Sequence, residues 1–403
     1  MAVYQISAPP VAPAPLPRLV ASVCLAFLAG HVVFLLGSYI DGSWLIAKDG
    51  SGVPSDFVNV WAAGKLALAG NPAGAYDWAT HKLLEESAVG HPFDGYFGWH
   101  YPPTFLFVAA ALSLMPYAVA YVVWAFGTFP LYLAAVRAII GDRIGYLLAA
   151  AFPAVLADFY AGQNGFLSAG LIGGALYLLE RRPIAAGVLI GLLTYKPHLG
   201  LLFPIALLAG GYWRAFFAAG VVGALMAAAS LYAFGVESWT AFIANIPHAS
   251  QAFLSSGWAD WAKLQTAFGL MRSLGCSERL AWTVQVAVGL AAAGAVAALW
   301  RSRLPYEIKA AALGVGVMLA TPYLYLYDVV VLAVPLAFLI SLGRRCGFLP
   351  HELASMGFAC LLILAFPFVT APVGFAAIFI VAALIARRVL APVTGAAAQS
   401  VAA

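Results

Sequence analysis

Five short polar clusters interrupt an otherwise apolar chain, and each holds residue types that do chemistry. The first is Ser55-Asp56-Phe57-Val58-Asn59-Val60-Trp61, a few residues beyond the first long apolar run. A carboxylate there is either a general base that takes a proton from a hydroxyl at a membrane surface or an N-cap for the apolar-periodic stretch that follows. The second is Trp99-His100-Tyr101-Pro102-Pro103. Its prolines force an extended approach and a clean helix start. His100 and Tyr101 either bind a phosphate or sugar hydroxyl at a cavity rim or belong to an interfacial aromatic belt. In Tyr160-Ala161-Gly162-Gln163-Asn164-Gly165 the glycines permit close backbone approach, and the amides of Gln163 and Asn164 suit sugar hydroxyls. The same residues also suit an ordinary turn between helices, and the neighbouring Asp158 is a cap or a second acid.

The fourth cluster, Thr194-Tyr195-Lys196-Pro197-His198, sits inside the apolar stretch 184–213. An ionisable group at membrane depth is costly and marks a functional site by default. Pro197 breaks the helix there, as irregular backbone lining a cavity requires. Lys196 and His198 suit an anionic phosphate; the alternative is a Pro turn with Lys196 snorkelling to the surface. The fifth, Thr321-Pro322-Tyr323-Leu324-Tyr325-Leu326-Tyr327-Asp328, offers three tyrosines and an acid for stacking on a sugar or prenyl chain, or an aromatic belt. Alternation at period two does not follow one helix face, so the three tyrosines are not all expected in one cavity.

These clusters need elements to position them. The chain of 403 residues is 64% hydrophobic and 9% charged, with mean hydropathy +0.94. Soluble domains carry about 25% charge, so lipid must cover part of this surface. The class is an all-α polytopic transmembrane protein; an outer-membrane barrel would show alternating strands of ~10 residues. Candidate spans lie at 19–40, 102–136, 144–160, 164–180, 184–196, 198–213, 215–235, 280–300, 307–322, 326–342, 353–370 and 373–387. A crossing needs ~20 apolar residues. That makes about twelve transmembrane helices if 102–136, broken at Met115-Pro116, is one kinked crossing with an interfacial lead-in. The 184–196 run is short for a crossing and implies thinning, tilt or burial in protein.

The implied organisation is a disordered tail at 1–18, a single membrane domain at 19–390 and a disordered tail at 391–403. The apolar run after Arg18 lacks a cleavage site and is expected to stay as a helix. Arg18, Arg137, Arg143, Arg181, Arg182, Arg214, Arg301, Arg303, Lys309, Arg344, Arg345, Arg387 and Arg388 fall at alternate span ends. By the positive-inside rule that side is cytoplasmic, both tails with it, and all five polar clusters face outward from the plasma (inner) membrane. Two outer loops result, 41–101 and 236–279. The first carries helix-like stretches from Asp56 to Ala69 and Tyr76 to Ala88, expected to lie along the headgroups. In the second, 262–272 is a stretch that would dip into the membrane.

Several classes are excluded. The net charge of +4 is small and spread out, so nucleic acid is not a partner. There is no Walker-type phosphate loop for ATP-driven transport, no DxD-like pair for a metal-bound nucleotide sugar, and no His/Cys set for zinc. No metal or other cofactor is called for. Cys24, Cys276, Cys346 and Cys360 have no paired spacing.

Asp56 after helix one, Asn71-Pro72, Tyr101-Pro102-Pro103, Gly162-Gln163-Asn164 and Lys196-Pro197 together resemble glycosyltransferase family 87, the DUF2029 membrane proteins. The resemblance spans 55–235 well and the C-terminal third more loosely. It implies a GT-C-like architecture and polyprenol-phosphate-mannose-dependent mannosyltransferase activity: metal-independent, inverting transfer to a lipid-linked or envelope glycan acceptor. It gives Asp56 the base role and makes Lys196, His198 and His100 candidates for the lipid phosphate. Tyr101, Gln163, Asn164, Tyr323, Tyr325 and Asp328 would hold sugar or acceptor. Some similar proteins carry a histidine near the Pro of the late outer turn, where Tyr323, Tyr325 and Tyr327 stand here. The rival reading is a transporter or flippase of lipid-linked sugars, which shares broken helices and a buried ion. No inverted repeat is evident to favour it.

Overall fold

The structure is a computed structural model that describes residues 14–258, 260–369 and 371–390. Its helices in chain order are α1 (Arg18–Asp41), α2 (Phe57–Leu68), α3 (Trp78–Val89), α4 (Leu106–Leu112), α5 (Tyr117–Ile140), α6 (Ile144–Ala150), α7 (Ala154–Ala161), α8 (Gly165–Leu178) and α9 (Pro183–Leu192). Then follow α10 (Phe203–Gly210), α11 (Trp213–Ala249), α12 (Ala267–Ser273), α13 (Glu278–Arg301), α14 (Tyr306–Ala320), α15 (Ala333–Cys346), α16 (Glu352–Leu364) and α17 (Val373–Leu390). There is no β-strand among the described residues.

Helix α1 is apolar all round and almost wholly exposed, so only lipid can cover it. Gly42 stops it in the left-handed conformation. Among the described residues six helices are long and apolar enough to cross a membrane: α1, α5, α11 with its continuation to Ser255, α13, Leu326–Cys346 and α17. The pair α6–α7, bent by 60° where Pro153 interrupts it, makes a seventh. Six further apolar helices are shorter, at Phe57–Leu68, Pro103–Leu112, Gly165–Leu178, Pro183–Tyr195, Pro197–Gly210 and Glu352–Leu364. The chain is therefore a membrane-embedded, all-helical protein.

Particular boundaries differ from the sequence reading. The 102–136 run is two helices, because Pro116 forces an extended residue ahead of α5, which then runs on to Ile140. Helix α11 continues past the expected end at 235, through a kink at Gly235, so the outer segment 236–279 begins as helix. Helix α2 is not laid along headgroups. Nine of its residues are buried, and Gly64 passes so close to α4 that a Cβ would lie 2.0 Å from the Ala109 carbonyl. Of the expected N-terminal tail, 14–17 is docked: Ala14 N–H donates to the Arg344 carbonyl (2.9 Å) and Arg344 Nε donates to the Ala14 carbonyl (2.8 Å). Residues 1–13 and 391–403 lie outside the described residues.

Three of the basic residues at span ends pair with acids from other segments. Arg344 pairs with Asp142 at 2.6 Å, Arg388 Nε with Glu352 at 2.8 Å, and Arg345 with Glu307. Glu352 is 1% exposed. Arg388→Ala leaves it buried and uncompensated and should lower stability by roughly 3 kcal/mol. Melting in detergent checks this. The double replacement by leucines should recover most of the loss, and an unchanged melting point for Arg388→Ala would contradict it.

Candidate active site

A cavity of about 1380 Å³ opens between the first outer segment, α1, α7, α11 and the 323–327 strip. One end is polar, with Asp56, Gln163, Lys196 and Lys263 in its wall. The other is apolar, lined by Phe27, Phe34, Leu156, Leu364 and Phe368.

Asp56 reaches this wall because it is not used as a cap. Its backbone is already helical (φ −56°, ψ −25°) and its side chain makes no capping bond. Ser55 beside it is bonded to the Tyr117 hydroxyl at 3.0 Å. Burial lifts the Asp56 carboxyl to about 6. The Lys263 charge and a hydrogen bond from Gln163 pull it back down; the Asp328 charge adds to the rise, and Lys196 opposes it.

Gln163 and Asn164 come from the turn that joins α7 to α8. Gly162 ends α7 at φ +67°, where a Cβ would strike the Tyr121 ring and Phe57. Gly165 admits the Tyr327 carbonyl, which a Cβ would meet at 2.4 Å. Asp158 accepts from Gly165 N–H (3.0 Å) and Phe166 N–H (2.8 Å), so it caps α8 and is not a second cavity acid.

The predicted residues form one hydrogen-bonded line. Lys196 donates to Asp328 and to Asn164 Oδ1 (2.7 Å). Asn164 Nδ2 donates to the Tyr101 hydroxyl (2.6 Å), which donates to Gln163 Oε1 (2.9 Å), and Gln163 shares the cavity wall with Asp56. Each bond runs from the cation toward the candidate base, and such bonds polarise one another in the same sense. Lys196 exists at this depth because the helix is broken: 193–195 and 197–200 are separate 3₁₀ turns, and Lys196 between them is at φ −135°.

Several placements differ from expectation. Asn164 and Asp328 are not in the cavity wall; they hold Lys196, which is 4% exposed against 1% for Asp328. Lys196 therefore does not offer an unpaired charge to a phosphate. Burial pushes the His100 imidazole down to about 4. It is neutral at pH 7 and contributes a hydrogen bond rather than a charge. All three tyrosines do line the cavity. The segment ahead of Leu326 is extended, with Tyr325 at ψ 172°, so Tyr323 and Tyr325 share a side with Leu324 buried on the other, and Tyr327 joins them from the first turn of the 3₁₀ helix Leu326–Leu332. Tyr323 meets Tyr325 edge-on at 5.1 Å, and Tyr325 stacks on Tyr327 at 5.6 Å. Tyr323 also stands edge-on to both His100 (6.2 Å) and His198 (6.3 Å).

Wall residues that escaped the sequence reading include Asn59, Tyr96, Asp94 and Lys263. Asn59 was accessible to it, lying one helical turn beyond Asp56. Among the described residues the buried polar atoms Asn59 Oδ1, Tyr96 OH, His100 Nδ1 and Nε2, and His198 Nε2 have no partner. Interiors rarely leave such atoms unbonded, so the wall suits a ligand rich in hydroxyl or phosphate oxygens. Among the described residues no three His, Cys, Asp or Glu side chains stand together as a metal site.

The model of glycosyltransferase family 87 matches residues 99–322. The chain belongs to glycosyltransferase family 87. Its activity is accordingly glycosyl transfer, with a sugar donor and an acceptor. No curated protein and no solved structure matches the chain. The family match begins after Asp56 and runs through Lys263, whereas the motifs alone covered 55–235 best.

Two outcomes follow for this glycosyltransferase. Tyr101→Phe cuts the line to Gln163 and removes about 1 kcal/mol of support for ionised Asp56, or roughly 0.7 pH units. A base works only when ionised, so transfer should rise with pH through about 6 in the wild type and at higher pH in the variant. An unmoved acid limb would sever Tyr101 from Asp56. Lys196→Met strands Asp328 and should cost roughly 3–5 kcal/mol in melting. Lys65→Met loses only a cation–π contact over Trp61 at 4.8 Å, about 0.5–1 kcal/mol.

Proposed function

We propose that this family 87 member transfers a hexose, mannose by the resemblance of its motifs, from a polyprenyl-phosphate sugar to a lipid-linked or envelope acceptor at the outer face of the plasma membrane. The carrying observation is that one cavity runs from the half-buried carboxylate of Asp56, beside the more exposed Asp94, to an apolar wall between α1, α7 and the end of α16. A donor with a sugar head and a prenyl tail matches such a cavity end to end. A nucleotide sugar, wholly polar, leaves the apolar end unused.

The chemistry needs one carboxylate. The acceptor oxygen bonds to the anomeric carbon as the bond from that carbon to the phosphate oxygen breaks. The electron pair stays on the phosphate, and the acceptor proton passes to Asp56. Attack opposite the leaving group inverts the anomeric centre. A phosphate leaves without protonation, so no general acid is required, whereas glycoside hydrolysis normally uses two carboxyl groups. Asn59 and Tyr96 offer unbonded polar atoms to sugar hydroxyls, and Tyr323, Tyr325 and Gln163 complete that wall. The outward orientation is supported by the basic residues at the opposite ends of the spans and by their ion pairs with Asp142, Glu307 and Glu352.

Transfer from a synthetic polyprenyl-phosphate mannose in detergent tests this. Wild type should be active and Asp56→Asn reduced by at least about 100-fold, the scale of general base catalysis, while still binding donor. Transfer unaffected by the substitution removes Asp56 as base. Absence of transfer with flipping of lipid-linked sugar in vesicles would replace the enzyme by a transporter.

A further inference from the structure

The cavity wall holds two lysines, Lys196 and Lys263, and their surroundings are opposite. Lys196 is spent on Asp328 and Asn164. Lys263 is exposed, and among the described residues no ion pair includes it. The other cation nearest in sequence, Arg272, is occupied by the Ser255 and Cys276 carbonyls and the Trp261 ring at 4.1 Å.

The backbone beneath Lys263 is fastened on every side. Asp260, held at φ +65°, caps the 3₁₀ turn Trp261–Lys263 by accepting from Ala262 N–H at 3.0 Å. Lys263 N–H donates to the Asp260 carbonyl (3.1 Å), and the Lys263 carbonyl accepts from Gln265 Nε2 (3.0 Å). Gln265 is itself pinned, its Oε1 accepting from Gly374 N–H and its N–H donating to the Leu324 carbonyl, both at 2.7 Å. The turn is thus anchored to the start of α17 and to the tyrosine strip, while the ammonium group has no partner among the described residues. A left-handed non-glycine residue is costly and persists where the surroundings enforce it, often beside a functional site.

We propose that Lys263, and not Lys196, is the cation that receives the lipid phosphate as the sugar departs. This presupposes the prenyl-phosphate donor proposed above. The departing phosphate gains negative charge as its bond to the anomeric carbon breaks, and a fixed ammonium group there stabilises that charge. Lys196 has already neutralised its charge against Asp328, and a phosphate beside it would have to compete with a carboxylate. Lys263 faces the same space as Asp56, since both line the one cavity. Base and leaving-group cation therefore share one chamber.

The test compares farnesyl phosphate with farnesol, binding to the full chain in nanodiscs of zwitterionic lipid. Farnesol reads the apolar end alone and reports whether a variant still folds. Wild type should prefer the phosphate at least tenfold. Lys263→Met should lose that preference and bind farnesol unchanged, and Lys263→Arg should restore most of it. If Lys263→Met keeps the preference, the lysine has no part in phosphate binding, while the donor class stands. Loss of farnesol binding as well would make Lys263 a residue of the fold and end the proposal. A wild type that does not distinguish the two ligands overturns the prenyl-phosphate donor, and the role of Lys263 with it.

Discussion

The buried ion pair between Lys196 and Asp328 is the constraint on which the site depends. Neither charge is stable alone in a low-dielectric interior. Their union forces the 193–200 segment, broken by Pro197, against the start of the segment that leads into α15. Asp328 does further work, since its Oδ2 accepts from Tyr325 N–H at 3.1 Å and so holds the tyrosine strip in its extended form. Lys196 orders the other direction through Asn164 and Tyr101 to Gln163, which shares the cavity wall with Asp56. One pair thus sets the position of both the aromatic wall and the carboxylate.

Much of the site was legible in residue types. A lysine within an apolar run, two glycines around Gln-Asn, and an acid just beyond the first helix are costly or unusual placements, and the structure brings all three to one cavity. Their individual tasks were less legible. Asn164 and Asp328 looked like ligand-binding groups, but partnership across 132 residues is a tertiary fact that local sequence does not carry. The tyrosine alternation was read against helix geometry, and the chain there is extended. Lys263 had no local mark at all, because the bonds that make it rigid come from Gly374 and Leu324.

The fold shows the same division. Hydropathy identified the membrane-embedded class and most helix positions. It did not separate helices covered by lipid from helices covered by protein. Helix α1 and α2 are both apolar, yet α1 is exposed and α2 buried. The difference lies in Gly64 and its contact with α4, a packing relation. Pro116 and Gly235 moved the boundaries of α5 and α11 for conformational reasons that hydropathy averages away.

The cavity joins a polar end that holds Asp56 to an apolar end lined by Phe27, Leu156 and Phe368. That division suits the proposed donor, whose tail would stay in the bilayer. The most direct measurement is a cryo-EM structure of Asp56→Asn with a polyprenyl-phosphate sugar bound. The sugar ring should lie beside residue 56 with its phosphate toward Lys263 and its tail against Phe27 and Leu156. Density for the sugar elsewhere, with the chamber around residue 56 free of ligand, would contradict the account.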